Sequence, residues 1–495
     1  MRASVLVVAA AVSGALLWAA SPALGVGPLA WVALLPVAAA SARAAGTRLG
    51  RLAGPLAYGV YLELVLVPAF PFGLTHDQWG RPALPILVGD SPALAIALVG
   101  VPLVALCLYA LRFPTLGTDS VLVAAAAWTA LDLVRVKLDP SGLWGPLFLT
   151  QADLPTASLA SVGGPWLLTF CLVAFQYAVV VPRARIYAAV VAVAMVAAMF
   201  TLPRLGGEGN TIRVAAVQPG YDTAEWDRAP ARFFRPAIRD YVKAARDVIG
   251  DLAPLTRVAA RRGARIVVWP EAALWVDPRS TRAARRALID LARETHATLV
   301  VPYFIRADAQ GAAVVVHPHG GISAPHPKQR TMWFLGESGG NRTPPAPVRA
   351  AGVSVGTLLG IDPQDPVWPR QLVSGGAELL TSSTHDWKEL APQQRAYLRL
   401  HARALGTPIV RADWRFGSAI VAADGDLAAG AGTGRKRTVI VARVAARGGR
   451  APYETVGDLV GWLSLAAAVA AAVGSRLTGR FTRPATAGSP ARGPG

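Results

Sequence analysis

Long unbroken apolar runs constrain this chain more than any other feature. A segment of about 18 or more apolar residues can cross the hydrocarbon core of a bilayer as a helix. Such runs lie near residues 4–22, 27–43, 52–72, 92–111, 119–137, 157–181 and 185–202, with an eighth near 456–475. The first resembles a secretory signal, with "SPALG" as a cleavage site, but a closely spaced second run and six more point to a polytopic membrane protein. Composition agrees: 53% of the 495 residues are hydrophobic and 16% are charged, against about a quarter charged in soluble chains.

The net charge of +19 comes mainly from arginine. It brings no nucleic-acid module and no basic patch interleaved with aromatics, so no nucleic-acid partner is expected; juxtamembrane anchoring explains it more simply. Arg2, the group Arg43, Arg48 and Arg51, then Arg112, the pair Arg183 and Arg185, and the set Arg476, Arg480 and Arg483 all fall on one side if the N-terminus is cytoplasmic. The opposite loops are nearly free of positive charge, "RVKLDPSGLWG" being the exception. Both termini are therefore expected in the cytoplasm, with segment 203–455 outside. The expected organisation is a seven-helix membrane domain over 1–202, an extracytoplasmic domain over 203–455, an eighth helix over 456–475 and a disordered Pro/Gly/Ser/Ala-rich tail over 476–495. The only cysteines, Cys107 and Cys171, sit inside apolar runs and read as small buried residues rather than a disulfide or zinc set.

Segment 203–455 changes character. "TIRVAAVQPG" reads as a strand ending in a turn, "ARDVIGDLAPLTRVAARRGARIVVWPEAALW" as helix then buried strand, and "RRALIDLARETHATLVVPYFI" repeats that order. Alternating strands and helices predict an α/β sandwich, with reactive groups just past strand ends. Glu271 follows the strand Arg265 to Trp269 through Pro270, and Lys328 follows a turn-rich stretch. Taken alone, the first reads equally as a helix-start acid and the second as a solvated lysine.

"VAAVQPG", "VVWPEAAL", "PKQRTMWFLGES" and "GAELLTSSTHDW", in that order, resemble the nitrilase-type (carbon-nitrogen hydrolase) domain of apolipoprotein N-acyltransferases. The eight spans with the domain between the seventh and eighth are similar to that family too, as is "GLWGPLFLTQADLPTASLASVGGPWLLTFCL". The resemblance implies an αββα nitrilase-like sandwich on an α-helical polytopic domain of about eight spans, in a bacterial cell membrane. It also implies transfer of an acyl chain from a phospholipid to the N-terminal diacylglyceryl-cysteine of lipoproteins, without cofactor or metal, by a Glu–Lys–Cys set. On the matching positions Glu271 is the general base, Lys328 the oxyanion stabiliser and Glu337 a supporting acid, the Lys-to-Glu spacing being one residue longer than usual. Counting back without a gap from "STHDW" to the family's Cys-Tyr-Glu motif gives Gly360, Ile361 and Asp362, so glycine stands where the nucleophilic cysteine belongs. His385 replaces an Asn before Asp386 and Trp387, Gly406 falls where an acid is usual, and Trp414 stands for another Asn.

Gly360 cannot form a thioester. Thr357, Ser354, Ser382, Ser383 and Thr384 are the hydroxyls nearest in sequence, but an alkoxide needs far more activation than a thiolate. His385 with Asp386 and Glu271 lacks metal-ligand spacing. Three readings stay open: a divergent acyltransferase working without the thiol, through a hydroxyl or by direct attack of water or amine; a non-catalytic protein binding phospholipid or lipoprotein, assisting an active paralogue; or a transporter or channel, for which Glu63, Asp132 and Arg135 are the main intramembrane charges.

Overall fold

The structure is a computed structural model describing residues 3–43, 48–69, 120–138, 145–201, 209–220, 241–305, 310–331, 337, 346–386, 388, 390–432 and 436–481. The span near 92–111, Cys107, Trp387 and most of the C-terminal tail lie outside these residues.

The apolar runs form helices α1 (Ala3–Ala20), α2 (Leu35–Arg43), α3 (Arg48–Ala69), α4 (Val121–Leu138), α5 (Ala160–Val180) and α6 (Arg185–Thr201). Among the described residues two stretches, Ala3–Ala20 and Pro155–Val180, are helical, long and apolar enough to cross a membrane. The run at 27–43 is not one helix. A 3-10 turn, Gly27–Trp31, precedes α2, because Pro28 and Pro36 lack the N–H that would continue a ladder. The amides freed at the start of α2 are capped by neighbours: Leu34 N–H donates to Gln176 Oε1 at 2.6 Å and Val37 N–H to Ser13 Oγ at 3.1 Å. Inside α5 the Gly163–Gly164–Pro165 sequence breaks helical geometry. Gly164 has φ +71°, and a Cβ there would lie 2.3 Å from the Tyr453 ring, so only glycine fits.

The remainder is a two-sheet sandwich. Its first sheet runs β12-β1-β2-β3-β4-β5, built from β1 (Thr211–Gln218), β2 (Ile266–Val268), β3 (Thr298–Ile305), β4 (Gln310–Val316), β5 (His326–Pro327) and β12 (Thr438–Ala445). Its second runs β11-β10-β9-β8-β7-β6, from β6 (Val348–Ala350), β7 (Val353–Leu359), β8 (Leu379–Thr384), β9 (Ile409–Asp413), β10 (Ala419–Val421) and β11 (Leu427–Gly430). The central strands β1, β2 and β3 are mutually parallel, as are β7, β8 and β9. Val214, Ala216, Ile266 and Val268 of one sheet meet Val355, Leu379, Val410 and Ala412 of the other in a dry layer.

Helices α7 (Tyr241–Arg261) and α8 (Arg282–Thr295) cover the outer face of the first sheet. Helices α9 (Val367–Ser374) and α10 (Ala391–Leu405) cover the second. The layers are thus αββα. Beyond α10 the same core continues into the N-terminal helical region, where Leu133, Val136, Phe148 and Trp166 pack with Leu358, Tyr397 and Tyr453. The last helices are α11 (Pro452–Val456) and α12 (Leu459–Phe481). The latter runs past residue 475, so the helix takes in the first residues assigned above to the tail.

Candidate active site

The ends of the parallel strands β2, β7 and β8, joined by the end of the antiparallel β5, gather the chemistry-bearing side chains at one end of the sandwich. Past β2, the Glu271 backbone is held on both sides: its N–H donates to Thr384 O at 3.3 Å and its carbonyl accepts from Trp414 Nε1 at 2.7 Å. Lys328 follows β5 directly, its N–H bonded to Gly311 O at 2.9 Å. The Lys328 ammonium lies 3.0 Å from Glu271 Oε1 and 2.7 Å from Glu337 Oε1. All three are sheltered, Lys328 being only 3% exposed.

Gly360 closes this group. It ends β7 in the left-handed region, φ +49°, with its N–H donated to Ser383 O at 2.8 Å. A Cβ on it would point at the charged cluster, 2.7 Å from Glu271 Oε1, 2.8 Å from Lys328 Nζ and 2.9 Å from Glu271 Oε2. Glu271, Lys328, Glu337 and Gly360, far apart in sequence, therefore share one site.

Burial pushes the Glu271 carboxyl above the usual carboxylate range; Lys328 opposes that shift and the Glu337 charge adds to it. Burial works against the Lys328 ammonium, but Glu271 and Glu337 more than offset it, so the lysine titrates above its ordinary value and stays charged. A carboxyl able to take a proton thus stands beside a fixed cation able to hold a developing oxyanion. Position 360 supplies nothing to attack with.

The other predicted residues divide. Asp362, 1% exposed, accepts from Gln329 N–H (2.9 Å) and Arg330 N–H (2.7 Å) on Oδ1 and from Leu359 N–H (3.0 Å) on Oδ2. It ties the Lys328 segment to the Gly360 turn. Burial raises its carboxyl to about 7 against those hydrogen bonds and the nearby Lys328 charge. Asp386 turns away to pair with the fully buried Arg411, which also donates to the carbonyls of Phe416 and Gly417. Its carboxyl is raised to about 7, chiefly by burial, with Arg411 opposing. His385 stays neutral because burial, then Arg415 and Lys328, hold it well below the ordinary histidine value. Among the described residues no group of three or more His, Cys, Asp or Glu side chains is placed to hold a metal ion.

Three of the neighbouring hydroxyls are engaged elsewhere, while Ser382 Oγ is buried without a hydrogen-bond partner among the described residues. Ser383 Oγ donates to Trp269 O at 2.8 Å, Thr384 Oγ1 to Asp413 Oδ2 at 3.0 Å, and Thr381 Oγ1 reaches Thr357 Oγ1 at 3.4 Å in the sandwich interior.

Residues 13–178 match the apolipoprotein N-acyltransferase N-terminal domain, and residues 213–453 match the carbon-nitrogen hydrolase domain. The chain belongs to the apolipoprotein N-acyltransferase family. No curated protein matches it by sequence. Among solved structures, a cysteine-to-alanine variant of an amidase from Nesterenkonia, of the nitrilase superfamily, shares 17% identity over 51% of this chain and 95% of its own, with a TM-score of 0.39. A glutamate-to-leucine variant of that amidase, carrying the acetamide moiety of fluoroacetamide at its active-site cysteine, shares 18% identity over 52% and 97%, with a TM-score of 0.39.

In this member of the acyltransferase family the site is fastened to α4, α5 and α12 by residues that nothing in the sequence marks. Lys137, in the last turn of α4, reaches Asp365 Oδ1 at 2.9 Å and Asp458 Oδ2 at 2.8 Å. Arg330 spans Asp365 Oδ2 and Val136 O, both at 2.8 Å. Asp458, at the start of the last helix, also accepts from Trp166 Nε1 at 2.7 Å. The turn after Gly360 is thereby pinned to α4, α5 and α12.

Proposed function

We propose that this chain is an apolipoprotein N-acyltransferase-like membrane protein that holds the acid–lysine pair of a nitrilase-type site but carries out no thioester chemistry. One observation carries this reading: the position facing Glu271 and Lys328 is Gly360, which has no side chain to serve as nucleophile. By family the chemistry would be transfer of a phospholipid acyl chain to the α-amine of a diacylglyceryl-cysteine. A carboxylate and an ammonium can assist such a transfer, but without a nucleophile the covalent route is lost and most of the chemical rate goes with it. The scaffold then serves to bind membrane phospholipid or the lipoprotein chain, in support of an active paralogue.

The reading places about eight spans in a bacterial cell membrane, both termini cytoplasmic and the sandwich outside. Exposed apolar stripes support the membrane part: Ile186, Val190, Val193 and Phe200 line one face of α6, and Trp462, Leu463, Val469 and Val473 one face of α12. Apolar surface on that scale marks contact with lipid or protein.

The test is intact-mass analysis of the purified protein after incubation with phospholipid, before and after hydroxylamine. The native protein is expected to gain no hydroxylamine-labile acyl adduct, whereas Gly360→Cys gains one. In that variant the atoms Cβ meets are the free ends of Glu271 and Lys328, which can move aside, and the left-handed backbone costs about 1–2 kcal/mol. An adduct on the native protein would overturn the proposal.

A further inference from the structure

We propose that Arg135 binds the phosphate group of a glycerophospholipid, held where α4 meets the α/β domain; the inference rests on the reading that these helices span the membrane with the sandwich outside. The stretch "RVKLDPSGLWG" is the one basic exception among the short loops on that side, which are otherwise nearly free of positive charge. Its Lys137 is answered by Asp365 and Asp458. Arg135 is not answered in the same way. Its Nη2 stands 3.7 Å from Asp132 Oδ1, beyond hydrogen-bond reach, and among the described residues nothing accepts from its Nε, Nη1 or Nη2. Asp132 spends its other oxygen elsewhere, accepting from Leu147 N–H at 2.9 Å and Thr169 Oγ1 at 3.2 Å.

The guanidinium lies over the Tyr58 ring, 5.6 Å from its centroid, and the Tyr58 hydroxyl is a second buried polar group with no partner among the described residues. Five N–H donors in a planar fork, with an adjacent hydroxyl, make an acceptor-seeking surface, and such a fork matches paired oxygens of a phosphate. An arginine buried this deeply is retained only with an acceptor or a function. Depth selects the ligand. Val136, the next residue, accepts from Arg330 beside the Gly360 turn, which puts Arg135 at the level where the outer helix ends meet the domain, the level of lipid headgroups. Held there, a phospholipid would present its glycerol esters near the site that faces position 360.

The experiment measures lipid retention on the full-length protein in detergent by native mass spectrometry. Its probes are phosphatidylglycerol, the diacylglycerol of the same chains, and inorganic phosphate as competitor. The native protein is expected to hold phosphatidylglycerol at least tenfold more tightly than diacylglycerol. Arg135→Gln is expected to erase that preference while leaving diacylglycerol retention unchanged. Asp132→Asn keeps an acceptor oxygen but removes a negative charge beside the site, so it should tighten phosphatidylglycerol severalfold; this variant decides the matter if Arg135→Gln does not fold. Equal retention of the two lipids by the native protein, a preference surviving Arg135→Gln, or no change in Asp132→Asn would each overturn the proposal. Full displacement of the lipid by equimolar inorganic phosphate would overturn the lipid assignment in favour of a free-phosphate site. None of these readouts involves acyl transfer, so a native protein that proves catalytic refutes the proposed function and leaves this inference standing.

Discussion

Replacing Asp362 by alanine should destabilise the protein, and by more in acid than in base. The carboxylate accepts from three backbone amides shielded from solvent in whole or in part, those of Gln329, Arg330 and Leu359. Leaving a buried amide unpaired costs about 1–3 kcal/mol, so the three together are worth on the order of 3–9 kcal/mol. Against this stands the cost of burying the group, which lifts its pKa from 3.8 to about 7. At about 1.4 kcal/mol per unit, that is on the order of 4 kcal/mol against the ionised form. Because the folded pKa lies above the unfolded one, this favourable contribution of the protonated acid is complete below about pH 4 and is lost as pH rises through about 7. Thermal midpoints of native and Asp362→Ala protein, taken between pH 5 and pH 8 in one detergent, should differ widely at pH 5 and converge toward pH 8. Asp386, raised to about 7 as well, contributes a slope of the same sign that both proteins share. Equal midpoints at pH 5, or a gap that widens toward pH 8, would refute the reasoning.

Arg411→Met strands Asp386 and Asp413 in the interior and should cost about 3–5 kcal/mol, read as a lost or strongly lowered unfolding transition. Lys328→Met removes the cation shared by Glu271 and Glu337; the loss, about 3–5 kcal/mol, should be smaller at pH 5, where a carboxyl already pushed upward can take a proton, than at pH 8. Trp414→Phe deletes a single bond to the Glu271 carbonyl and should lower stability by about 1 kcal/mol while leaving secondary structure by circular dichroism unchanged.

The alternation of strand and helix after residue 210 is legible because β-branched runs such as "RIVVW" and "TLVVPYFI" carry their own propensity and burial. The break within 27–43 is less so: two prolines mark it, but Gln176 and Ser13, which make it tolerable, come from other helices. At the site, the Gly360 position can be counted in the sequence: Gly360 directly follows β7, and Ser383 and Thr384 end the adjacent parallel strand β8, so the two motifs bracket a single strand–helix–strand unit. The partnership of Asp386 with Arg411, and that of Lys137 with Asp365 and Asp458, cannot be read in advance. Each joins residues at least 25 positions apart through charge pairing alone, which leaves no periodic trace in the chain. Trp414 illustrates the difference: as a letter it is only a departure from a motif, while in the fold its indole holds the backbone of Glu271.

The measurement that bears most directly on the central claim is acyl transfer itself. Purified native protein, given a phospholipid with one isotopically labelled acyl chain and a diacylated lipopeptide, is followed by mass spectrometry for label on the peptide α-amine, with Glu271→Gln alongside. The account predicts no labelled triacylated peptide from either protein. Label transferred by the native protein and lost in Glu271→Gln would contradict it, and would show that the Glu271–Lys328 pair drives the reaction without a thiol.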